Sequence, residues 1–299
     1  MADDVPYSLI RYELAEPGIV RLVLNRPEKR NAQNAVMTYE IDRALAEAAA
    51  DDAIKVVILS GAGDHFNAGH DQQQDPSDHS ELYAHNVSLW YGYDQPRVEG
   101  QFARNRELYF DMIWRWRNFP KILIGQVQGK AIGGALSILS ACDLIVASDD
   151  ALFADPTVNM GVPGVEYLGY PWDMGPRKAK EFLLTGDFFT AEQLERTGFI
   201  NRVVPRSELE EASLALARRI AAKPTLGLKL SKSAINQMQD TQGMHAHLQA
   251  SFFMTTIGQF DLVARGGLEE KRKKDGGLFT SKMQEPEKRS DATPGKATT

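Results

Sequence analysis

Two stretches dense in small residues hold the groups best suited to chemistry: "FNAGHD" at 66–71 and "QGKAIGGALS" at 128–137. Each leaves a β-rich apolar run through a turn with little side-chain bulk, and the second opens a helix at Gly133 and Gly134. Amides at a helix start have no internal acceptor and sit at the positive end of the helix dipole. If the N–H groups of Ala68 and Gly134 converge, they form an oxyanion hole, two donors for one carbonyl oxygen that gains negative charge. Glycine at such turns also serves tight bends and close helix-to-sheet packing, so spacing alone leaves both roles open. His70 and Asp71 follow directly, an imidazole able to act as acid or base near neutral pH and a carboxylate that can hold the loop.

A dinucleotide fingerprint in "SGAGDHF" at 60–66 is a weaker reading of the first turn. Phe66 stands where a third glycine is required, and no acidic residue ends a second strand. A NAD-dependent oxidoreductase is therefore not expected.

The elements that must position these turns follow from periodicity. "LIRYELA" and "IVRLVLN" flank Glu16-Pro17-Gly18 and predict a hairpin. Met37, Ile41, Leu45 and Ala48 give a helix over about 35–50, and "IKVVILSG" has the apolar, β-branched character of a strand covered on both faces. Residues 72–100 are polar and aromatic without a period, which predicts a long irregular insertion. Its Tyr83, His85, Trp90, Tyr91 and Tyr93 suit either an acyl pocket for a bulky or cyclic group or a subunit contact. A helical stripe of Leu108, Met112 and Trp116 follows, then strand, short buried helix and strand to residue 148. Thr190 with Gln193 predicts a capping box. The sum is an α/β core over 1–205, a helical region over 206–280 and a tail at 281–299 without apolar anchors.

Composition limits the partners. The 299 residues are 43% hydrophobic with a net charge of −6, which suits a globular core and argues against nucleic acid or an anionic membrane surface. A single cysteine, Cys142, excludes an internal disulfide and a multi-cysteine zinc site. The N-terminus lacks an apolar signal region and no apolar run approaches ~20 residues, so a cytoplasmic protein is expected.

Taken in order, "LNRPEKRNAQN" (24–34), "FNAGHD", "KILIGQVQGKAIGGALSILSACDLIVAS" (121–148), "ALFADPTVNMGVPG" (151–164), "KEFLLTGDFFTAEQLERTGFINRVV" (180–204) and "EEKRKKDGGLF" (269–279) resemble the successive signatures of the enoyl-CoA hydratase/isomerase, or crotonase, superfamily. The resemblance runs from about residue 8 to 279. It implies a spiral of repeated strand-strand-helix units with a helical C-terminal trimerisation region, assembled as a trimer or a dimer of trimers. It implies an acyl-CoA thioester as substrate, coenzyme A entering as part of that substrate and no separate cofactor or metal. By motif position the oxyanion donors are the amides of Ala68 and Gly134, with Gly133, His70 and Asp71 beside the substrate. Arg30 and Ala32 fall near the CoA adenine and pantetheine, and Lys271 meets the nucleotide phosphates, commonly across a subunit boundary.

The sequence departs from the hydratase pattern at the two glutamate positions, which hold Ser137 and Thr157. Neither residue can deprotonate water at neutral pH without help. Glu166, about one residue out of register with an additional acid of some dienoyl-CoA isomerases, is the leading acid/base candidate. Asp155, two residues from the second vacant position, is another. Hydration of a 2-enoyl-CoA is the activity the resemblance implies. Isomerisation of an enoyl- or dienoyl-CoA, thioester hydrolysis and non-catalytic acyl-CoA binding are the alternatives.

Overall fold

A computed structural model of the chain describes residues 6–73, 90 and 92–266. Strands Ile10–Glu16 (β1) and Ile19–Leu24 (β2) pair antiparallel about the Pro17-Gly18 turn, as the alternation predicts. From β2 onward the main sheet is parallel. Its strands Val56–Gly61 (β3), Ile122–Val127 (β4), Leu144–Ser148 (β6) and Arg202–Val204 (β9) stand in the order β1-β2-β3-β4-β6-β9. A smaller sheet joins Lys130–Ile132 (β5), Leu152–Ala154 (β7) and Phe189–Thr190 (β8).

Every residue of β3 and β4 is buried, and period-2 alternation sorts them between two layers. Val20, Leu22, Leu24, Val57, Leu59 and Leu123 face the large core that helix Ala35–Ala50 (α1) closes with Met37, Ile41, Leu45 and Ala48. Ile19, Val56, Ile58, Ile122, Ile124 and Val146 face helix Leu209–Ala221 (α8) across a second layer. Each such side chain contributes about 1.5–3 kcal/mol on leaving water, which is why both faces carry helices.

Helix Arg97–Arg106 (α2) begins earlier than the periodicity predicts, because Pro96 holds the extended conformation of an N-cap and releases residues 97–100 into the first turn. The rest of the 72–100 stretch, apart from residues 72, 73, 90 and 92–96, lies outside the described residues. A π-helical turn, Glu107–Asp111, then widens the chain before helix Met112–Arg117 (α3), with Leu108, Met112 and Trp116 buried as one stripe. Such turns are rare and cluster at functional sites.

Helix Gly134–Ala141 (α4) follows β5 directly. Short helices Pro171–Met174 (α5), Pro176–Thr185 (α6) and Ala191–Glu195 (α7) lead to β9, and the predicted capping box of Thr190 and Gln193 is present. Thr225–Thr241 (α9), entered from Pro224, and Met244–Ala264 (α10) complete the described chain. No helix among the described residues is long and apolar enough to cross a membrane.

The loop after β2 is built around Asn31, fully buried and left-handed at φ 56°. Its Oδ1 accepts from Arg26 N at 2.9 Å, and its Nδ2 donates to the carbonyls of Ala62, His65 and Phe66 at 2.9, 2.9 and 3.2 Å. Asparagine is one of the few residues that tolerates this backbone conformation. Asn31→Ala strands buried carbonyls and keeps the strain, so denaturant unfolding should show a loss of about 2–4 kcal/mol.

Candidate active site

The turn at 67–71 is hydrogen-bonded on both edges, by isolated parallel bridges from His70 to Gln33 and from Asn67 to Ala131. These bridges, a backbone bond to Arg30 and a side-chain bond within the turn together decide which amides remain free. Asn67 N donates to Lys130 O at 3.2 Å, Ala68 N to Arg30 O at 3.0 Å, Gly69 N to Asn67 Oδ1 at 2.7 Å and Asp71 N to Gln33 O at 2.8 Å. Only the His70 N–H of this turn meets no acceptor among the described residues. The expected donor is thereby corrected: the Ala68 amide is consumed by the loop carrying Arg30, and the free amide lies two residues later.

In the second turn Gly133 N donates to Ala154 O at 2.9 Å, and the Gly134 N–H that starts α4 meets no acceptor among the described residues. The two turns lie against each other, since a Cβ built on Gly69 would stand 3.4 Å from Gly134 N and 2.7 Å from Ile132 O. Gly69, at φ +88°, is therefore required for both its conformation and its close approach.

The His70 side chain turns back over the second glycine. Its Nε2 lies 3.1 Å from Glu166 Oε2, and a Cβ on Gly134 would fall 2.5 Å from its Cε1 and 2.8 Å from its Nδ1. Tyr109, carried by the π-helical turn, covers the imidazole with ring centroids 4.0 Å apart and planes tilted by 37°. Glu166 is 4% exposed, and its Oε1 accepts from Gln259 Nε2 of α10 at 2.5 Å. Burial pushes the Glu166 carboxyl up, but the adjacent His70, the hydrogen bond from it, the residue's own backbone amide and Gln259 outweigh that and hold it below its ordinary value. His70 Nδ1, buried beside Gly134, meets no partner among the described residues. An unpaired buried ring nitrogen of this kind calls for a functional account.

Asp155 has a different place. It is fully buried and caps the turn Pro156–Met160. It accepts from Thr157 Oγ1 at 2.7 Å, Thr157 N and Val165 N at 3.3 Å, and Tyr170 Oη at 3.0 Å. Burial leads the opposing influences and raises its carboxyl above the ordinary range. Its hydrogen bonds tether the 156–170 loop, a holding role that the sequence alone does not reveal. Ser137 Oγ donates to Tyr167 O at 3.4 Å and Thr157 Oγ1 to Asp155, so both vacated glutamate positions are taken up in packing.

Asp71 pairs with Arg26 Nη1 at 2.8 Å and accepts from Gln73 N at 3.0 Å, both bonds that hold the loop. Arg30 is exposed, left-handed at φ 51°, on the loop whose Ala32 carbonyl accepts from Arg26 Nη1 at 2.9 Å. Burial first, then the positive charge of Arg30 with smaller effects from Lys130 and Arg206, keep the nearby His65 imidazole below its ordinary value. That basic rim lies on the same loop system as the two turns. Lys271 falls outside the described residues. Gln259, Asn105 and Tyr109 are members of the site that periodicity assigns only to helices, and no local spacing marks them.

A family model described as "Enoyl-CoA hydratase/isomerase" matches residues 15–275. "Putative enoyl-CoA hydratase EchA13" of Mycobacterium tuberculosis is 40% identical over 256 residues, which cover 82% of this chain and 79% of that protein. "Enoyl-CoA delta isomerase 2" of Homo sapiens is 30% identical over 234 residues, 78% of this chain and 55% of that one. A crystal structure described as a "probable ENOYL-COA Hydratase from Mycobacterium Smegmatis" matches with a TM-score of 0.76 at 42% identity, covering 86% of this chain and 97% of the other. The chain belongs to the enoyl-CoA hydratase/isomerase family and has the crotonase fold.

Two measurements test the geometry without a substrate. Gly134→Ala places a methyl where the imidazole lies, so a crystal structure of the variant should show His70 displaced out of hydrogen-bond reach of Glu166, with a stability loss of about 1–3 kcal/mol. For Glu166, a depressed folded-state value contributes stability above the ordinary carboxylate range that is lost as pH falls through it, below about 4.3. Thermal unfolding followed from about pH 7 to pH 3.5 should therefore fall less steeply in Glu166→Gln than in the unmutated chain.

Proposed function

We propose that this chain binds a 2-enoyl-CoA and adds water across its double bond, holding the thioester oxygen on the His70 and Gly134 amides. The observation that carries this reading is the juxtaposition of two unengaged amides with a buried imidazole–carboxylate pair. Attack at the β-carbon puts negative charge on the thioester oxygen, and donors fixed beforehand favour that charge over the neutral ground state. His70 Nδ1 takes the proton from water as oxygen adds to the β-carbon. The same imidazole then returns a proton to the α-carbon of the enolate. Glu166 receives the Nε2–H of His70 and balances the positive charge that the ring carries between those steps, the part a carboxylate plays behind a catalytic histidine in hydrolases.

A second reading, isomerisation of a 3-enoyl-CoA, is favoured by one specific feature. With Ser137 and Thr157 in packing roles, the site has a single proton-handling pair among the described residues, and a shift of one proton between two carbons needs no more. In both readings Arg30 and Ala32 lie towards the CoA moiety. The exposed apolar residues Leu226, Leu230 and Ile235 of α9 and Met254 and Ile257 of α10 supply subunit contacts.

Incubation with a 2-enoyl-CoA and, separately, a 3-enoyl-CoA tests the proposal. Loss of the conjugated-enoyl absorbance on the first supports hydration, and its appearance on the second supports isomerisation. Binding of both without turnover would reduce the protein to an acyl-CoA binder. Where turnover is seen, His70→Ala should lower kcat by about 10²–10⁴-fold, and Glu166→Gln by a smaller factor. Full activity in Glu166→Gln would remove the pair from the mechanism.

A further inference from the structure

We infer that Gln259 and Asn105 are positioning residues that set the tautomer of His70 through a polarised hydrogen-bond relay, an inference that rests on the proton-handling role assigned to His70 above. The relay runs across three elements that are distant in sequence. Asn105 Nδ2 of α2 donates to Gln259 Oε1 at 2.8 Å, Gln259 Nε2 of α10 donates to Glu166 Oε1 at 2.5 Å, and Glu166 Oε2 faces His70 Nε2 at 3.1 Å.

Each link constrains the next. An amide side chain that accepts on its oxygen presents its NH₂ at the other end, so one orientation of Gln259 satisfies both the bond from Asn105 and the bond to Glu166. An ionised carboxylate is an acceptor only, so with Gln259 on one oxygen of Glu166 the other oxygen calls for a donor from the imidazole. The neutral ring must carry its hydrogen on Nε2, and the lone pair is left on Nδ1, the atom that meets no partner beside Gly134. Control of one ring nitrogen by what the other nitrogen bonds is the usual way proteins select a tautomer.

The surroundings hold the relay in register. Asn105 is 7% and Glu166 4% exposed, and the half-buried Gln259 joins them. Gly258 brings α10 onto the loop before Glu166, since a Cβ there would fall 2.7 Å from Pro163 Cδ and 3.1 Å from Gly161 O. Thr255 Oγ1 adds a bond to Gly164 O at 3.2 Å. Tyr109 packs against the His70 ring and restrains its plane.

The polarity is open to reversal. In Asn105→Asp the new carboxylate accepts from the Gln259 NH₂, turning the Gln259 oxygen towards Glu166 and opposing two acceptors. Glu166 must then take a proton or swing away, and its demand for the Nε2 hydrogen ends. Gln259→Met removes the link without charge.

The test is ¹⁵N NMR at neutral pH on the full chain with labelled histidine, His70 being identified among the six histidines by loss of its signal in His70→Gln. The unmutated protein should show His70 protonated on Nε2 and bare on Nδ1. Asn105→Asp and Gln259→Met, each checked for folding by circular dichroism, should raise the Nδ1-protonated fraction several-fold. Where the protein turns over an enoyl-CoA, they should lower kcat by about 10–100-fold with KM little changed. Unmutated His70 in the Nδ1-protonated form, or folded variants with an unchanged tautomer, would overturn the relay. Should the protein convert no enoyl-CoA, the functional reading fails while the tautomer measurement still decides the relay.

Discussion

The site depends on how the amides of one turn are shared out. Residues 67–71 are clamped between the loop that holds Gln33 and the strand that holds Ala131. An amide is a strong donor and is rarely left buried without an acceptor, so a segment bridged on both edges uses its N–H groups almost completely. Here backbone carbonyls take those of Asn67, Ala68 and Asp71, the Asn67 side chain takes that of Gly69, and that of His70 is left. The buried Asn31 sets that register from behind, binding three carbonyls of the segment through Phe66 while its own backbone accepts from Asn67 Nδ2 at 2.7 Å.

A buried carboxylate needs partners, and Glu166 draws its own from three directions: the imidazole, its own peptide and an amide on the last described helix. Desolvation of a charge is expensive unless hydrogen bonds replace the lost water. The contrast with Asp155 is instructive. Asp155 is at least as buried and has more hydrogen bonds, yet all of them come from neutral donors, and burial prevails. One carboxylate stands beside an imidazole and the other beside a phenol and a hydroxyl.

The hairpin, the doubly covered strands, the α1 stripe and the helical C-terminal third are legible in the sequence because each rests on local period. The position of Glu166 beside a glycine turn is legible only through motif order, and its partner His70 stands 96 residues away. Periodicity places Ala68 and His70 in the same turn but cannot tell which has a free amide, because that depends on pairing with Gln33 and Arg30, far away along the chain. Asn105 and Gln259 give no signal at all. Each is one polar residue on a helix, indistinguishable from solvent-facing neighbours until α2 and α10 are brought together. The early start of α2 is a gentler case, in which Pro96 marks the boundary and the polar composition around it obscures the helix.

Residue 70 supplies a main-chain donor and a side-chain base at once. The donor belongs to the peptide and survives any replacement of the side chain except proline, whereas the imidazole is lost with a single codon. The anion stabilisation and proton handling proposed for residue 70 are thus separable by heredity although they share one residue. On the proposed mechanism, a lineage built on this backbone can keep its hold on the thioester oxygen while the chemistry performed beside it is exchanged.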